Sequence, residues 1–262
     1  MCYMLMDKFK SLISHPLTRG LDLDDPLTTR LRRRIIQEKP SLSQIYQEWY
    51  QSVSSSLPEG EEPVLEVGSG GGFLCSYLPD LITSEIFQTE DVQVVLDATR
   101  LPFGDGVLRA IVMIDVLHHI CQPRRFIAQA AHCVRARGAL VMIEPWVSNW
   151  SRLIYSRFHH EPFRPEAEEW EFPPAGPLSG ANGALPWIMF LRDRDRFEKE
   201  FPSWEIKNIR PILPFRYLAS GGVSMRNLLP TMAFDYLRRL EYFLEPWMGS
   251  WAMFAEIVLV RR

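Results

Sequence analysis

Short apolar runs alternate with helical patterns over most of the chain beyond residue 60. The runs are rich in Val, Ile and Leu and few alternate with polar residues, which is typical of strands buried on both faces of a parallel sheet. A helical pattern at 123–138 separates two of the runs and is predicted to end at Gly138. The predicted strands are 63–69, 81–86, 92–98, 108–116, 139–146, 204–212 and 255–262.

This order of strands and crossover helices predicts an α/β fold, with a doubly wound, mostly parallel seven-stranded sheet. We expect an N-terminal helical extension at 1–60 and a main domain at 61–262. In the extension, the arginines at 30 and 32–34 are predicted to form the solvated side of an amphipathic helix. A second helix is predicted after Pro40, with a capping box formed by Ser41 and Gln44.

Two segments interrupt the alternation of strands and helices, at about 147–189 and 213–254. Long stretches with little regular structure in a compact domain are either functional or disordered. These two are rich in Trp, Phe and Tyr, a composition that argues against disorder. We expect both to be ordered lid insertions over the carboxyl edge of the sheet. An alternative for 242–254 is a wall for a lipid-like acceptor or a shallow peripheral contact with a membrane surface.

Composition narrows the class of protein. The 262 residues are 47% hydrophobic and carry a net charge of -3, which offers no basic surface for nucleic acid. The four cysteines show no CxxC spacing, which favours a reducing compartment. No apolar stretch reaches the roughly 20 residues of a membrane span, and no signal peptide is evident. We therefore expect a cytoplasmic protein without a transmembrane segment, and the sequence leaves its oligomeric state open.

The most informative stretch is VLEVGSGGGF at 64–73. Glycines after a strand let the backbone approach a ligand where a Cβ would collide. A dinucleotide fingerprint counted from Gly68 would place its third glycine at position 73, which is Phe73. The acid Glu66 precedes the glycines, where its carboxylate can bind loop amides or face a cation. A sulfonium with an amino-acid tail is such a cation.

The stretch from Glu66 to Gly72 resembles the first motif of class I S-adenosylmethionine-dependent methyltransferases, an acid and one residue followed by G-x-G-x-G. LDATRLPFGDGVLRAIVMIDVLHHI at 96–120 is similar to the third and fourth strands of that family, in the branch that includes quinone-biosynthesis and other small-molecule enzymes. The resemblance covers about 60–146. It implies S-adenosylmethionine as cofactor and leaves the acceptor open.

The resemblance also implies roles for individual residues. Gly68 and Gly70, with Ser69 and Gly72 in the same motif, would line the methionine part of the cofactor. Glu66 would orient the loop or bind the amino group.

Beyond the first motif, Asp97 with Ala98 beside it would meet the adenine amino group. Asp97 capping a turn is the alternative. Asp115 at the tip of the fourth strand, followed by His119, would lie near the methionine tail or the sulfonium.

Members of the family usually carry an acid at the end of the second strand, which binds both ribose hydroxyls. Glu85 is the candidate in this sequence, and Glu90 or Asp91 takes the role if the strand ends elsewhere.

Methyl transfer to a small-molecule acceptor needs an in-line approach and, for a hydroxyl acceptor, a base. One of the two histidines at 118–119 could instead be structural, and Glu144 could anchor the lid. Adjacent histidines at 159 and 160 point about 100° apart on a regular helix, so we expect no metal site. The rival functions are a catalytically idle interaction module and, despite Phe73, a nicotinamide-dependent oxidoreductase. The candidate catalytic residues are His118, His119, Glu144, His159 and His160.

Overall fold

A computed structural model describes residues 14–17, 25–89, 92–158, 161–174, 176, 180–230 and 232–262. The N-terminal part contains helices α1 (Pro26–Glu38) and α2 (Pro40–Ser55). The remaining helices are α3 (Pro123–Cys133), α4 (Asn149–Phe158), α5 (Leu185–Trp187), α6 (Arg194–Glu200), α7 (Arg216–Ser220), α8 (Ala233–Phe243) and α9 (Met248–Trp251). The strands are β1 (Val64–Val67), β2 (Leu81–Glu85), β3 (Val94–Val95), β4 (Leu108–Ile114), β5 (Val134–Pro145), β6 (Trp204–Ile212) and β7 (Phe254–Arg261).

The strands form one sheet in the order β3-β2-β1-β4-β5-β7-β6. Strands β1 to β5 are parallel, and β7 runs antiparallel to both of its neighbours, β5 and β6. This arrangement confirms the predicted α/β, mostly parallel seven-stranded sheet. The chain moves outward from β1 through β2 to β3 and then returns to β4 on the other side of β1. The carboxyl ends of β1 to β4 therefore converge beside a switch point, where sheets of this type bind ligands.

Alternate residues of the central strands enter different cores. Leu65, Ile111 and Leu140 pack on one face of the sheet. Val64 and Val112 pack on the other face, against the apolar stripe of α2. Both faces are thus covered, which explains why the strand sequences are almost continuously apolar.

Three local predictions were wrong. Helix α3 ends at Cys133, and Gly138 lies inside β5, where a Cβ would come within 2.6 Å of the carbonyl oxygen of Arg109 on β4. The close strand approach, rather than a helix terminus, requires this glycine. Strand β3 has only two residues, Val94 and Val95. Helix α2 has Lys39 as N-cap and no side-chain cap, because a lysine side chain carries no hydrogen-bond acceptor.

Lid insertions were expected at 147–189 and 213–254, and helices occupy part of the first segment and about half of the second. They contain α4 and α5 in the first and α7 to α9 in the second. Asn182 orders the first segment, since its Oδ1 accepts hydrogen bonds from Arg164 N at 2.9 Å and Ala184 N at 3.1 Å. Trp150, on α4 of the first segment, donates its Nε1–H to the carbonyl oxygen of Pro214 in the second segment at 2.8 Å. The two segments therefore pack together.

Candidate functional site

A cavity of about 500 Å³ lies at the carboxyl ends of β1 to β4. Its walls come from the glycine loop, the ends of the neighbouring strands, helices α1 and α2, and both insertions. This volume falls in the range of small-molecule and cofactor sites. The predicted cofactor-binding residues all line it: Glu66, Gly68, Ser69, Gly70, Gly72, Glu85, Asp97, Ala98, Asp115 and His119.

The loop after β1 is shaped by two left-handed residues, Gly68 with φ 70° and Gly70 with φ 51°. A Cβ on Gly68 would lie 2.6 Å from Cγ2 of Val116, so a larger residue would also collide there. At Gly70 a Cβ would meet no protein atom closer than 3.8 Å. The backbone of Gly70 is thus open on the side where a ligand can approach closely.

Hydrogen bonds fasten this loop to β2. Ser69 N donates to the Ser84 carbonyl oxygen at 2.8 Å, and Ser84 N donates to Ser69 Oγ at 3.1 Å. Glu85, the last residue of β2, accepts from Gly70 N at 3.0 Å and from Ile86 N at 2.8 Å. The predicted acid therefore does end the second strand and borders the cavity. The alternatives Glu90 and Asp91 lie outside the described residues.

Glu66 is buried at the end of β1, with its side chain against the cavity. Burial raises the pKa of Glu66 to about 7; a hydrogen bond with Ser69 opposes this shift and the nearby charge of Glu85 adds to it. Burial likewise raises the pKa of Glu85, against the effect of its two backbone hydrogen bonds. Two adjacent acids with raised pKa values make this end of the cavity favourable for hydroxyl and ammonium donors.

Asp97 follows β3, caps a turn and lies at the edge of the cavity. Its Oδ1 accepts hydrogen bonds from the backbone N and the Oγ1 of Thr99, each at 2.8 Å, so it does cap a turn. The residue is nevertheless exposed and borders the cavity together with Ala98.

Asp115 follows β4 with φ 63°, a strained conformation for a residue other than glycine. Its N–H donates to the carbonyl oxygen of Ile143 at 2.8 Å, which holds the strained backbone against β5. Burial raises the pKa of Asp115 to about 6, with His118 opposing the shift and Glu161 and Glu144 reinforcing it. Strain and a perturbed carboxyl coincide here, as they do at functional sites.

Glu144 and His118 form a buried pair behind the cavity wall. Glu144 Oε1 accepts from the backbone N–H groups of Val116 at 2.9 Å and Leu117 at 2.7 Å. Its Oε2 lies 2.8 Å from His118 Nδ1. Burial by itself lowers the pKa of His118, but the hydrogen-bonded Glu144 and the nearby carboxylates of Glu161 and Asp115 raise it well above the ordinary value. Glu144 therefore fixes the turn after β4 and does not border the cavity.

His119 is the neighbouring histidine that borders the cavity. Its Nδ1 is 3.1 Å from the carbonyl oxygen of Gly180, in the first insertion. Burial and the charge of His118 lower the pKa of His119 to about 3, so its ring is neutral at physiological pH. Its Nε2 lies 3.9 Å from Glu161 Oε1. The predicted candidates His159 and His160 lie outside the described residues.

Sequence reasoning missed the contribution of the N-terminal helices. Arg32 was placed on a solvated helix face, but it borders the cavity, and Tyr46 and Tyr50 of α2 do so as well. Tyr50 Oη accepts from Phe73 N at 2.9 Å, which ties α2 to the end of the glycine loop. In the sequence, the only sign that α2 borders the cavity is the pair Tyr46 and Tyr50 in an otherwise apolar stripe. A stripe of this kind usually indicates residues packed in the core.

Comparisons with known proteins agree with this geometry. Residues 65–142 match the family model described as "Methyltransferase domain". Residues 65–142 therefore resemble a methyltransferase domain. The matched segment is less than a third of the chain and holds β1 to β4, most of β5 and every predicted cofactor-binding residue. S-adenosylmethionine is the cofactor of this domain family.

Solved structures show the fold of the methyltransferase domain over nearly the whole chain. A chain from the complex of the Haloferax volcanii Trm112 methyltransferase activator has a TM-score of 0.52 at 11% identity, covering 92% of this chain and 97% of its own. Geranyl diphosphate C-methyltransferase from Streptomyces coelicolor has a TM-score of 0.51 at 11% identity, with coverages of 95% and 90%. A further geranyl diphosphate methyltransferase structure has a TM-score of 0.50 at 12% identity, with coverages of 88% and 83%. No curated protein matches the chain.

The residues that line the cavity fit an S-adenosylmethionine molecule in two respects. Gly70 leaves room for close approach of its backbone, and the acids at 66, 85, 97 and 115 surround the same cavity.

Among the described residues there is no helix both long and apolar enough to cross a bilayer.

Proposed function

We propose that this protein transfers a methyl group from S-adenosylmethionine to a small-molecule acceptor. The observation that carries the proposal is the glycine loop with acids at the ends of four adjacent strands, all facing one cavity. The bound cofactor would supply an activated methyl group on a sulfonium. The chain's own residues would hold the cofactor, orient the acceptor and exclude water.

The proposed cofactor contacts follow from the position of each acid. Glu85 would accept hydrogen bonds from the ribose hydroxyls, since its oxygens already face the loop at Gly70. Asp97 would accept from the adenine amino group through Oδ2, because Oδ1 is engaged by Thr99. Glu66 and Asp115 would bind near the ammonium and sulfonium charges, which favour the ionised form of both carboxyl groups.

For the acceptor we propose an aromatic or lipid-like small molecule, which would place the protein near the quinone-biosynthesis-like branch. Support comes from Tyr46 and Tyr217, which border the cavity beside the polar cofactor residues. Two structures of similar fold, at 11% and 12% identity, are geranyl diphosphate methyltransferases, and the geranyl chain of that compound is lipid-like. Tyr236, Phe243 and Trp247 of the second insertion are exposed, which supports a shallow membrane contact as the route for such an acceptor.

We also propose a cytoplasmic location. Cys75, Cys121 and Cys133 are free thiols, as expected for a protein kept in a reducing compartment.

Calorimetry with S-adenosylmethionine and S-adenosylhomocysteine tests the cofactor site. We expect the folded protein to bind both, and Glu85→Gln to bind roughly 10- to 100-fold more weakly, because it loses hydrogen bonds to a charged acceptor. Glu198→Gln is the matched control, since Glu198 lies on the surface in an ion pair with Arg194 and does not line the cavity. Folded wild-type protein that binds neither compound would refute the proposal.

The acceptor class needs a second experiment. Protein supplied with labelled S-adenosylmethionine and a cell lysate should transfer label to the small-molecule fraction. Label in RNA or in protein would contradict a small-molecule acceptor. Binding of the cofactor without any labelled product would favour the idle interaction module.

A further inference from the structure

Three potential metal ligands converge beside the cavity. His118, His119 and Glu161 each place a ligand atom so that all of these atoms lie within 4.8 Å of one another. The histidines belong to the turn after β4, and Glu161 belongs to the first insertion.

The hydrogen bonding of His118 resembles that of histidines that bind metals, because a carboxylate lies behind its ring. Its Nδ1 is 2.8 Å from Glu144 Oε2, and Glu144 is itself fixed by two backbone N–H groups. A carboxylate behind the ring orients the imidazole and leaves Nε2 for a metal. His118 is 1% exposed, and its Nε2 is buried without a hydrogen-bond partner. That atom lies 3.4 Å from Glu161 Oε2 and 3.9 Å from Asp115 Oδ1.

His119 presents the same atom to the same place. Its Nδ1 faces the carbonyl oxygen of Gly180, which can only accept, so Nδ1 carries the proton and Nε2 has the lone pair. The two rings are 4.2 Å apart between centroids and tilted by 41°. Adjacent histidines on a regular helix would diverge, but this short turn brings both Nε2 atoms toward Glu161.

Backbone hydrogen bonds hold Glu161 opposite the histidines. Asn182 N donates to the carbonyl oxygen of His118 at 2.9 Å, and Gly183 N donates to the carbonyl oxygen of Pro162, also at 2.9 Å. The segment that carries Glu161 is therefore tied to the segment that carries His118. The three side chains meet because the fold fixes both segments.

An ion pair between protonated His118 and Glu161 is the simpler explanation. It accounts for one imidazole but leaves the lone pair of His119 Nε2 facing a carboxylate at 3.9 Å, beyond hydrogen-bond distance. A divalent cation would satisfy both lone pairs and balance the carboxylates.

We propose that His118 Nε2, His119 Nε2 and a Glu161 carboxylate oxygen bind a divalent transition-metal ion, with Asp115 as the nearest further ligand. Two imidazoles with carboxylates suit Zn²⁺ and its neighbours better than Mg²⁺ or Ca²⁺, which prefer oxygen ligands alone. The prediction of no metal site considered His159 and His160, whereas this site uses the other adjacent pair.

The site borders the cavity through Asp115 and His119. An ion there would bind an acceptor oxygen, lower the pKa of its hydroxyl and orient it toward the methyl group. This role rests on the proposed methyl transfer, whereas the binding of the metal does not. A metal ion at this site would favour acceptors with a hydroxyl or a pair of adjacent oxygens.

Zinc binding by metal-stripped, full-length protein tests the site. Titration against a chromophoric chelator should show one tight Zn²⁺ per chain, and Co²⁺ should give visible absorption from the same site. Glu161→Gln and His119→Ala should each weaken Zn²⁺ binding at least about tenfold, since even the loss of an outer partner costs that much. His132→Ala is the matched control, because His132 lies on the surface, paired with Asp105, and its loss should change nothing.

Absence of saturable Zn²⁺ binding would overturn the proposal, and so would binding that both variants leave unchanged. If His119→Ala does not fold, Glu161→Gln decides, since Glu161 lies in an insertion outside the sheet. Binding of S-adenosylhomocysteine is measured on the same samples. Protein that binds Zn²⁺ but not S-adenosylhomocysteine would uphold the metal site and refute methyl transfer. Protein that binds S-adenosylhomocysteine but not Zn²⁺ would overturn the metal site and leave the proposed cofactor site standing.

Discussion

Gly71 lies directly beneath the backbone of helix α1. A Cβ at this position would come within 2.5 Å of the backbone N of Arg33 and 2.8 Å of its Cα. At Gly72 a Cβ would come within 2.6 Å of Tyr50 Oη on α2. The first two glycines of the loop thus shape a ligand cradle, and the next two make room for helices. The sequence motif shows all four alike and cannot separate these reasons.

Gly71→Ala should lower the free energy of unfolding by about 1–3 kcal/mol, because the added methyl must displace backbone rather than a flexible side chain. It should also weaken S-adenosylhomocysteine binding, since the loop moves with the helix. Gly249→Ala is the matched control, because a Cβ there meets nothing within 4 Å. Urea denaturation and calorimetry of both variants measure the effect. Equal stabilities for the two variants would contradict it.

Glu66 makes stability depend on pH in a defined direction. Its folded pKa of about 7 lies above the ordinary 4.5, so between these pH values the folded state holds a proton that the unfolded state has lost. This contribution to stability is full below pH 4.5 and is lost as the pH rises to about 7.

Glu66→Gln keeps the shape of the side chain without its charge. Wild type should lose stability between pH 5 and pH 8 whereas the variant should not. The unfolding free energy of the variant minus that of wild type should therefore increase over this range, by up to about 3 kcal/mol. Urea denaturation at both pH values measures the difference, and Glu198→Gln should show none. A difference that does not change with pH would mean that Glu66 titrates normally.

At the scale of elements, the sequence predicted all seven strands, most within two residues of their ends, because each is an apolar run bounded by turn residues. It did not predict where helix α3 ends and β5 begins, or how short β3 is. Val134 already pairs with Leu108 of β4, and the register shifts before the next pair, Ala110 with Ala139, although the sequence pattern of 134–137 continues helix α3. The length of β3 depends on its single neighbour, β2, which the local sequence does not reveal.

A buried ion cluster joins α2, α7 and α8. Arg216 Nε donates to Glu241 Oε2 at 2.5 Å, and its two terminal nitrogens donate to the Glu48 carboxylate at 2.8 and 2.7 Å. Glu241 Oε1 also accepts from the backbone N of Arg216 at 2.8 Å. The second insertion is thereby fixed to the N-terminal helices, a contact that periodicity cannot predict.

Arg216→Met should lower the free energy of unfolding by about 3–5 kcal/mol, because it leaves Glu241 buried without its partner. Arg194→Met, which breaks an exposed pair with Glu198, should cost no more than about 1 kcal/mol. Thermal or urea unfolding compares them, and the double variant Arg216→Met, Glu241→Leu should recover part of the loss. A cost for Arg216→Met equal to that of the control would show that the buried cluster adds no stability.

At the scale of the whole molecule, the cavity is assembled from parts that are far apart in the sequence. Thr29 and Arg32 come from α1, the loop comes from β1, and Tyr217 and Val223 come from the second insertion. The sequence predicted the loop and the acids because they form a local motif. It could not predict the contributions of α1 and of the second insertion, because the sequence pattern of a helix does not indicate which part of the protein that helix packs against.

This assembly predicts how S-adenosylhomocysteine acts on the folded chain. At 100 times its Kd it should raise the free energy of unfolding by about 2.7 kcal/mol. Amide hydrogen exchange should slow together in residues 29–36, 68–72 and 217–224, since all three segments border the cavity. Protection restricted to the loop would mean that the helices and the second insertion do not close on the ligand.

The antiparallel strand β7 has a consequence for synthesis of the chain. In the sheet, β6 is joined to the other strands only through β7, which follows it by some forty residues. On the ribosome, at roughly 5–20 residues per second, Trp204–Ile212 must therefore wait several seconds for its partner with one edge unpaired. A premature stop codon anywhere between these two strands would remove two strands from the sheet rather than one, and would leave a long unpaired strand open to aggregation.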